Sequence, residues 1–258
     1  MKHFIATEGS LAYEYIDKTS DKTLLCIHGF MEDHEVWNDL VAKLNVNIIL
    51  VDLFGFGESN PHNDFDFSLE NQAKAVAELL HHLEPKNLYV LGHSMGGYIT
   101  LELLKIYYPF NAGLLHSTPL ADSEEKKANR NKTIEVLQKD PVIFIREFYW
   151  NLFAENTKDK YAALIEKMKT KAGKIPVDHI ITTIKALRDR NDNQPAFEKA
   201  EGKKIWISGK NDKLIGFGET KKLAEEANIE FVELSTSGHM GFYEEPDALL
   251  KAVKNWLK

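Results

Sequence analysis

The chain has 258 residues, 43% of them hydrophobic, so it can form one large domain or one domain that carries an insertion. Its 32 basic and 39 acidic residues give a net charge of −7, which argues against a binding surface for nucleic acid or anionic membrane. The single cysteine, Cys26, excludes a disulfide framework and a thiolate metal site, and the lack of a signal peptide or of an apolar run approaching ~18 residues predicts a cytoplasmic protein.

The first part of the chain alternates short apolar runs with helical patterns. A hairpin around Gly9 predicts strands at 2–7 and 11–17. The runs that follow are apolar without alternation, which is typical of strands that are buried on both faces. Because helices separate them, the connections are crossovers and the sheet is expected to be parallel. The predicted strands are 23–27, 47–53, 87–92 and 112–116, and the predicted helices are 35–44, 69–83 and 95–106.

A helical block interrupts this alternation. Between 119 and 195 there is no strand pattern, and helices are predicted at 124–139, 142–153, 158–171 and 177–191. The alternation resumes with strands at 204–208 and 229–234 and helices at 218–227 and 246–257. We therefore predict an α/β core formed by 1–118 and 196–258, with 119–195 inserted as an all-helical cap. A separate domain between linkers is the alternative, and the sheet elements on both sides argue against it.

The strongest chemical motif is Gly92-His93-Ser94-Met95-Gly96, which fits G-x-S-x-G between a buried strand and an amphipathic helix. A serine on so tight a turn takes an unfavourable backbone conformation. The strand and the helix also pass so close together that its neighbours two residues away must lack a side chain. Gly92 and Gly96 meet that need. An ordinary glycine-rich loop is the alternative, and this strand–helix context makes a chance match much rarer.

A serine hydroxyl near neutral pH needs a base to take its proton and a fixed group to orient that base. Among ten histidines, His239 follows the last predicted strand, so it reaches the same edge of a parallel sheet as Ser94. Asp212 follows strand 204–208 at that edge and is the predicted acid. Asp122, after the preceding strand, is a rival, and Asp52 also ends a strand but precedes the serine in the chain.

Two backbone amides are candidates for stabilising negative charge on a substrate oxygen. The N–H of Met95 lies at the start of the helix that follows the serine. The loop after strand 23–27 carries His28-Gly29-Phe30, where Gly29 allows a close approach and the N–H of Phe30 is the second predicted donor. A simple turn at the strand end is the alternative explanation of His28 and Gly29.

The chain carries five motifs in one order: HGF at 28–30, DLFGFGES at 52–59, GHSMGG at 92–97, GKND at 209–212 and SGHMGFYEEP at 237–246. Together they resemble the α/β-hydrolase superfamily, in its capped serine-hydrolase branch of esterases and C–C-bond hydrolases. The resemblance implies a mostly parallel eight-stranded sheet flanked by helices, a triad in the chain order Ser94, Asp212, His239, and no metal or cofactor. It does not cover the predicted cap.

The predicted activity is that of a serine esterase in which Ser94 forms an acyl-enzyme and activity falls as His239 protonates near its ordinary pKa of ~6.5. The aromatic helix 142–153 predicts one face on the core and another in a pocket, with packing on neighbouring helices alone as the alternative. A small-to-medium hydrophobic ester is the predicted substrate. The predicted substrate contacts are Phe30, Met31, Phe144, Phe148, Trp150 and Met240, with Phe217 and Phe242 near the site.

Two other functions stay open. A C–C-bond hydrolase or lyase acting on a vinylogous keto acid would need basic residues that face the pocket, and Arg146, Arg188 and Arg190 are the candidates. A ligand receptor with slow hydrolysis would need a ligand-dependent partner, and no sequence feature indicates one. The expected partner is a small-molecule substrate, with no nucleic acid and no membrane, and formation of a homodimer is left open.

Overall fold

The apolar runs form one sheet, in a computed structural model that describes residues 1–107 and 109–258. The strands are β1 (Lys2–Ala6), β2 (Gly9–Ile16), β3 (Thr23–Ile27), β4 (Asn47–Val51), β5 (Asn60–Pro61), β6 (Leu88–His93), β7 (Asn111–Leu115), β8 (Lys204–Gly209) and β9 (Glu230–Leu234). Eight of them lie side by side in the order β1-β2-β4-β3-β6-β7-β8-β9, and β5 pairs with β2 outside this path. The β1–β2 and β2–β4 pairs are antiparallel, and every later pair along the path is parallel. The predicted mostly parallel sheet is therefore confirmed.

The chain between and after the parallel strands forms helices. They are α1 (Asn38–Val41), α2 (Leu69–Leu83), α3 (Met95–Leu103), α4 (Glu124–Lys139), α5 (Pro141–Leu152), α6 (Ala162–Ala172), α7 (Val177–Arg188), α8 (Gln194–Lys199), α9 (Phe217–Glu226), α10 (Gly241–Glu244) and α11 (Pro246–Trp256). β3 and β4 are buried along their whole length, as their unbroken apolar runs predict. No helix of the described chain is long and apolar enough to cross a membrane.

Four predicted helices differ from the structure by three or more residues at an end. Helix 95–106 stops at Leu103, and helix 158–171 begins at Ala162. Residues 35–44 form a 3₁₀ turn (His34–Trp37) followed by the short α1, because the Lys18 ammonium donates to the carbonyls that end this segment, among them that of Val41 at 2.9 Å. The predicted helix 177–191 stops at Arg188, because the Arg190 guanidinium donates to the Leu187 carbonyl at 2.8 Å and takes an acceptor that a longer helix would use.

Three short elements were not predicted. These are β5, α8 and α10. Pro195 was interpreted as a break between elements, but it lies in the first turn of α8, where a proline costs no hydrogen bond. A two-residue strand and a four-residue helix are too short to leave a periodic pattern in the sequence.

The parallel register brings the carboxyl ends of β3, β6, β7, β8 and β9 to one edge of the sheet. The helical segment (residues 119–195) lies between β7 and β8 in the chain and contacts the loops of that edge. From α5, the Tyr149 hydroxyl donates to the Met31 carbonyl at 2.5 Å, and the Leu152 carbonyl accepts from the His239 N–H at 2.7 Å. The loops that carry the predicted site residues are therefore held between the sheet and these helices.

Candidate active site

Ser94 lies on a strained turn between β6 and α3. Its φ of 51° and ψ of −113° fall in a region that residues with side chains rarely adopt. The Ser94 N–H donates to the Leu115 carbonyl at 2.9 Å, which ties the turn to the neighbouring strand. A Cβ on Gly92 would collide with the Gly96 carbonyl, and a Cβ on Gly96 would collide with the Ile27 carbonyl. The strand and the helix thus approach as closely as the glycine spacing predicts.

The loop after β3 is fixed by buried hydrogen bonds. His28 Nε2 accepts the Leu53 N–H at 2.9 Å, so its Nδ1–H donates to the Gly29 carbonyl at 2.8 Å. The Gly29 N–H donates to the Glu32 carboxylate at 2.7 Å. His28 and Gly29 are therefore more than a simple turn at a strand end, because they hold the backbone that leads into Phe30.

The backbone N–H groups of Phe30 and Met95 have no acceptor in the part of the chain that the structure describes. Met95 is the first residue of α3, and the first N–H groups of a helix have no partner within it. Phe30, Ser94 and Met95 line the same cavity. Such a pair of donors can stabilise an oxyanion that forms on an atom bound next to the serine.

Asp212 and His239 form a hydrogen-bonded pair. His239 Nδ1 lies 2.7 Å from Asp212 Oδ2, and both side chains are almost fully buried. The other carboxylate oxygen, Oδ1, accepts the N–H groups of Leu214 at 2.8 Å and Ile215 at 3.0 Å. The carboxylate is thus fixed by its own loop on one side and by the imidazole on the other.

A second imidazole, which the sequence did not reveal, contacts the same carboxylate oxygen. His116 Nδ1 lies 3.2 Å from Asp212 Oδ2, and His116 is fully buried at the end of β7. Burial lowers the pKa of His116 to about 4 despite the nearby carboxylate. The sequence predicts that position 116 ends an apolar strand, and no local pattern marks it as part of a site.

The surroundings of Asp212 and His239 shift the pKa of both side chains, that of the carboxyl downward and that of the imidazole upward. Burial opposes the charge on Asp212, but the charge of His239 and the hydrogen bonds to both imidazoles hold the pKa of the carboxyl well below its ordinary value. Burial also opposes the charge on His239, but Asp212, Glu32 and Glu244 outweigh it and raise the pKa of this imidazole above its ordinary value. At neutral pH the carboxylate is therefore ionised.

A buried pair of side chains connects the three loops of the site. Glu32 Oε2, which accepts the Gly29 N–H, lies 2.9 Å from His93 Nδ1, and His93 Nε2 donates to the His239 carbonyl at 3.0 Å. A carbonyl can only accept, so Nε2 carries a hydrogen and one further proton lies between His93 and Glu32. Burial opposes the charge on Glu32, but His93 and the Gly29 N–H outweigh it and lower the pKa of the carboxyl. The sequence pattern did not reveal this part of Glu32.

Ser94 and His239 lie on loops that touch, through the contact between His93 and the His239 carbonyl. Among residues 1–107 and 109–258, no hydrogen bond joins the Ser94 hydroxyl to the His239 imidazole. Asp212 occupies Nδ1, and Nε2 on the opposite side of the ring has no partner among the residues that the structure describes. The arrangement places a base that is oriented by a carboxylate next to the loop of the serine.

The rival acids are engaged elsewhere. Asp122 pairs with two arginines of the helical segment. Asp52 accepts the backbone N–H of His34 at 2.9 Å and contacts its Nδ1 at 2.8 Å. Within the described chain neither carboxylate contacts His239, so Asp212 is the acid that the geometry pairs with this imidazole.

A cavity of about 260 Å³ opens in front of Ser94. Phe30, Phe144 and Phe148, which were predicted substrate contacts, lie in its wall. Other apolar residues complete the wall: Met95, Tyr98, Ile184, Leu187, Leu214 and Ile215. On α5, Ile145 and Tyr149 are buried against neighbouring residues, so the helix has the two apolar faces that its sequence predicts.

Three predicted substrate contacts do not lie in this wall. Met31 faces a separate, smaller depression, and Met240 is fully buried next to His239. Trp150 is 37% exposed, with the Lys158 ammonium 5.0 Å above its ring, because it lies on the outer face of α5. Phe217 packs elsewhere, against Phe231. Phe242 lies near the site, as predicted, because its ring packs against His93 as well as against Trp37.

The cavity wall carries an excess of positive charge. Lys126, Arg130 and Arg190 face a single acidic residue, Asp122. Arg190 Nη1 lies 2.7 Å from the Asp122 carboxylate and its side chain is almost fully buried, whereas Arg130 is 28% exposed and pairs with the same carboxylate through Nε. Of the arginines considered from sequence, only Arg190 lies here. Arg146 and Arg188 pair with the acidic residues next to them.

Three possible metal ligands lie together at the site, namely His116, Asp212 and His239. Two ligands of a tetrahedral ion at ~2.0–2.1 Å lie roughly 3.3 Å apart. The Asp212–His239 distance of 2.7 Å is that of a hydrogen bond, with a proton between the two atoms. The geometry therefore fits a carboxylate–imidazole pair better than a metal centre.

The chain belongs to the alpha/beta hydrolase fold family, whose model matches residues 22–246, and it is a hydrolase of that fold. A thermophilic esterase from Thermogutta terrifontis, solved with malate bound, superposes with a TM-score of 0.89 at 24% sequence identity and covers 100% of this chain and 98% of that chain. At this identity the likeness describes the shared fold.

Three curated relatives cover different shares of the chain. The uncharacterized hydrolase YugF of Bacillus subtilis is 33% identical over 104 residues, which is 40% of this chain and 38% of that protein. The putative esterase/lipase 1 of Mycoplasma pneumoniae is 25% identical over 79% of this chain and 78% of its own. The 2-hydroxy-6-oxononadienedioate/2-hydroxy-6-oxononatrienedioate hydrolase of Escherichia coli O81 is 23% identical over 92% of this chain and 87% of its own.

Proposed function

We propose that this protein is a serine hydrolase that cleaves carboxylic esters through an acyl-enzyme. The observation that carries the proposal is the buried Asp212–His239 hydrogen bond, on a loop that contacts the turn of Ser94. That serine has a positive φ, and the Phe30 and Met95 amides have no acceptor among the described residues. Ser94 is the nucleophile, His239 the general base and Asp212 the group that orients and stabilises the imidazolium. The similarity to a putative esterase/lipase is consistent with this assignment.

In the acylation step, Ser94 Oγ attacks the ester carbonyl while its proton passes to His239 Nε2. This transfer requires Oγ and Nε2 to come within ~2.6–3.2 Å of each other in the substrate complex. The N–H groups of Phe30 and Met95 stabilise the charge on the carbonyl oxygen, and each such donor contributes ~10²–10³ in rate. The bond to the leaving alcohol then breaks and His239 returns the proton to the alkoxide.

In the second step, water attacks the acyl carbon and gives a proton to His239. The bond to Ser94 breaks, the serine oxygen regains the proton and the carboxylic acid leaves. Asp212 stays ionised throughout, because its pKa is held well below the ordinary value. No electron transfer or cofactor enters this sequence of steps.

We propose that the helical segment is a cap that shapes the acyl-binding site. Phe144 and Phe148 stack with their ring centroids 5.7 Å apart, and Phe148 meets Phe30 edge-on at 5.5 Å. The cavity of about 260 Å³ lies just below the ~300–1,000 Å³ range of ligand sites. Its size and apolar wall favour a small-to-medium hydrophobic acyl group.

The test is covalent labelling together with a chain-length series. A fluorophosphonate should label wild-type protein at Ser94, as read by intact mass and peptide mapping, and p-nitrophenyl ester turnover should be greatest for short to medium acyl chains. Ser94→Ala should lose labelling and at least ~10³-fold in kcat. Ser20→Ala, a hydroxyl deletion outside the cavity, serves as the control and should keep both. Ester turnover by Ser94→Ala at the wild-type rate would contradict the assignment.

The charge of the cavity favours a second candidate, cleavage of a C–C bond in a vinylogous keto acid by the same residues. The cavity wall has two more basic than acidic residues, namely Lys126, Arg130 and Arg190 with Asp122. This excess positive charge favours a substrate that carries carboxylates. The Escherichia coli relative is named for keto dicarboxylic acids, which are substrates of this charge. The apolar part of the wall would then hold the hydrocarbon chain.

A pair of arginine variants separates the two candidates. Arg130→Gln changes the cavity, whereas Arg146→Gln changes an exposed arginine that pairs with Glu147 on the surface. If the keto acid is the substrate, Arg130→Gln should raise its KM by about 10-fold, the value of one charge-assisted contact, and Arg146→Gln should not. If the rates are low and uniform along the ester series and C–C cleavage is fast, C–C-bond cleavage becomes the favoured function.

A further inference from the structure

His116 is held in one orientation by contacts on both sides of its ring. It follows β7 with a φ of 48°, and its side chain has no exposed surface. Nδ1 lies 3.2 Å from Asp212 Oδ2, and Nε2 lies 3.3 Å from the N–H of Gly241. The N–H of Gly209 lies 3.3 Å from Nδ1. The ring therefore fills the space between the acid of the site and the loop after His239.

The contacts select one protonation state of this ring. A neutral imidazole with its hydrogen on Nδ1 donates to Asp212 and accepts from Gly241, so two of the three contacts are favourable and only the Gly209 N–H, which is as far from the ring as that of Gly241, points at a hydrogen. The other tautomer would turn a lone pair toward the Asp212 carboxylate and an N–H toward the Gly241 N–H. The doubly protonated ring would keep the second of these clashes and place an additional charge in a buried site. The hydrogen therefore lies on Nδ1.

We propose that His116 is a positioning residue of the catalytic site, a neutral imidazole that donates to the same Asp212 oxygen as His239. The inference rests on the proposed triad but concerns a residue outside it. With His116 in place, both carboxylate oxygens of Asp212 are engaged, Oδ2 by two imidazoles and Oδ1 by the Leu214 and Ile215 amides. The carboxylate cannot rotate away from His239 without breaking one of these contacts.

The second donor also sets the strength of the first hydrogen bond. A carboxylate oxygen that receives two donors has less negative charge to share with either of them. Removal of the His116 donor should therefore strengthen the interaction of Asp212 with protonated His239 and raise the pKa of His239. The groups that face His239 from the other elements are Glu32, His93 and Glu244, and they are unchanged by substitutions at position 116.

Three substitutions separate the contacts of His116. Asparagine accepts a positive φ and places an amide N–H near the position of Nδ1, so His116→Asn keeps the donor to Asp212. Glutamine places its amide near Nε2, so His116→Gln keeps the Gly241 contact and loses the donor. His116→Leu loses both. The acid limb of kcat/KM against pH reports the free-enzyme pKa of His239. Because the His116 ring also packs against the His239 ring, the comparison of His116→Asn with His116→Gln, which differ in the donor to Asp212, separates the hydrogen bond from packing.

The expected result for His116→Leu and His116→Gln is a fall in kcat/KM of about 10- to 100-fold at pH 8 and an acid limb moved upward by about half to one pH unit. His116→Asn should recover part of the activity and keep the limb near its wild-type position. An unmoved limb in His116→Leu, or His116→Asn that is no better than His116→Leu, would overturn the proposal.

A measurement on the wild-type protein tests the proposal even if the variants fail to fold. Long-range ¹H–¹⁵N correlation spectra of the histidine rings should show the Nδ1–H tautomer for His116 at pH 7, and an Nε2–H tautomer or an imidazolium there would overturn the proposal. Fluorophosphonate labelling of Ser94 in the same sample tests the proposed function independently of the role of His116. Absence of labelling contradicts the proposed function, whereas labelling with an unmoved limb contradicts only the role of His116.

Discussion

Tyr149 connects the helical segment to the loop that carries Phe30. Its hydroxyl donates to the Met31 carbonyl at 2.5 Å, and both groups are buried. Burial raises the pKa of Tyr149 well above its ordinary value, so the hydroxyl stays a donor across the working range of pH. Met31 has a φ of 57°, and a residue with a side chain keeps this conformation only when its surroundings hold it there.

The substitution Tyr149→Phe removes this donor and little else. The Met31 carbonyl is then buried without a partner, which costs about 1–3 kcal/mol of unfolding free energy. For a chain of this size that corresponds to a fall in Tm of about 2–12 °C. Complete loss of one oxyanion donor costs ~10²–10³ in rate, so a Phe30 N–H that is displaced but present should cost about 10-fold. The loss should fall on kcat and leave KM nearly unchanged, because the oxyanion exists only in the transition state.

A matched control comes from the same segment. The Tyr161 hydroxyl donates to the Tyr243 carbonyl, so Tyr161→Phe also removes a hydrogen bond between the helical segment and the core, but away from the Phe30 loop. Both variants should lose Tm in a thermal melt, and only Tyr149→Phe should lose kcat on a p-nitrophenyl ester. Equal kcat in the two variants would refute the role assigned to the Tyr149 hydroxyl, whatever the change in Tm.

Three further outcomes are expected from the same geometry. The raised pKa of His239 should place the acid limb of kcat/KM above the ordinary ~6.5, because the imidazole becomes protonated, and activity is lost, as pH falls through the raised pKa. A limb at or below the ordinary value, in a profile over about pH 5–9, would contradict this sign. Asp212→Asn should lower kcat by ~10³–10⁴, because the imidazole of His239 loses its orientation. Asp122→Asn changes the rival acid and should change kcat by less than about 10-fold. The reverse ranking of the two variants would exchange the roles of these residues. Gly92→Ala should lower the unfolding free energy in urea by about 3 kcal/mol or more, while Gly218→Ala, where an added Cβ meets nothing within 4 Å, should be neutral or stabilising by up to ~1 kcal/mol.

The sequence alone predicts the bounds of an element when residues close in sequence decide where it begins and ends. The predicted bounds of α2 and α4 agree with the structure, since Ser68 and Ser123 accept the N–H groups of Asn71 and Lys126 as N-caps. The predicted bounds of β3 also agree, since a run of five buried apolar residues has no alternation to misread. Where a distant side chain ends a helix, as Lys18 does after α1, the prediction of its end was wrong.

The serine turn could be predicted because its constraint is local. A strand, a serine at positive φ and glycines two residues away form one continuous stretch, and the collisions that the glycines avoid lie within or beside it. His239 and Asp212 could be predicted as candidates, because the topology of a parallel sheet sends the residues after its strands to one edge. Their pairing at 2.7 Å is a fact of the tertiary structure.

His116, Glu32 and Trp150 mark what only the tertiary structure decided. His116 contacts Asp212 across 96 residues of chain because β7 and β8 are neighbours, and Glu32 contacts His93 across 61 because β3 and β6 are neighbours. Nothing near either residue distinguishes it from other histidines and glutamates. Which face of α5 lines the cavity likewise depends on how that helix docks, so Phe148 lines the same cavity as Ser94 and Trp150 is exposed to solvent. Sequence patterns report short-range periodicity, whereas these contacts depend on the order of strands and on the packing of helices against them.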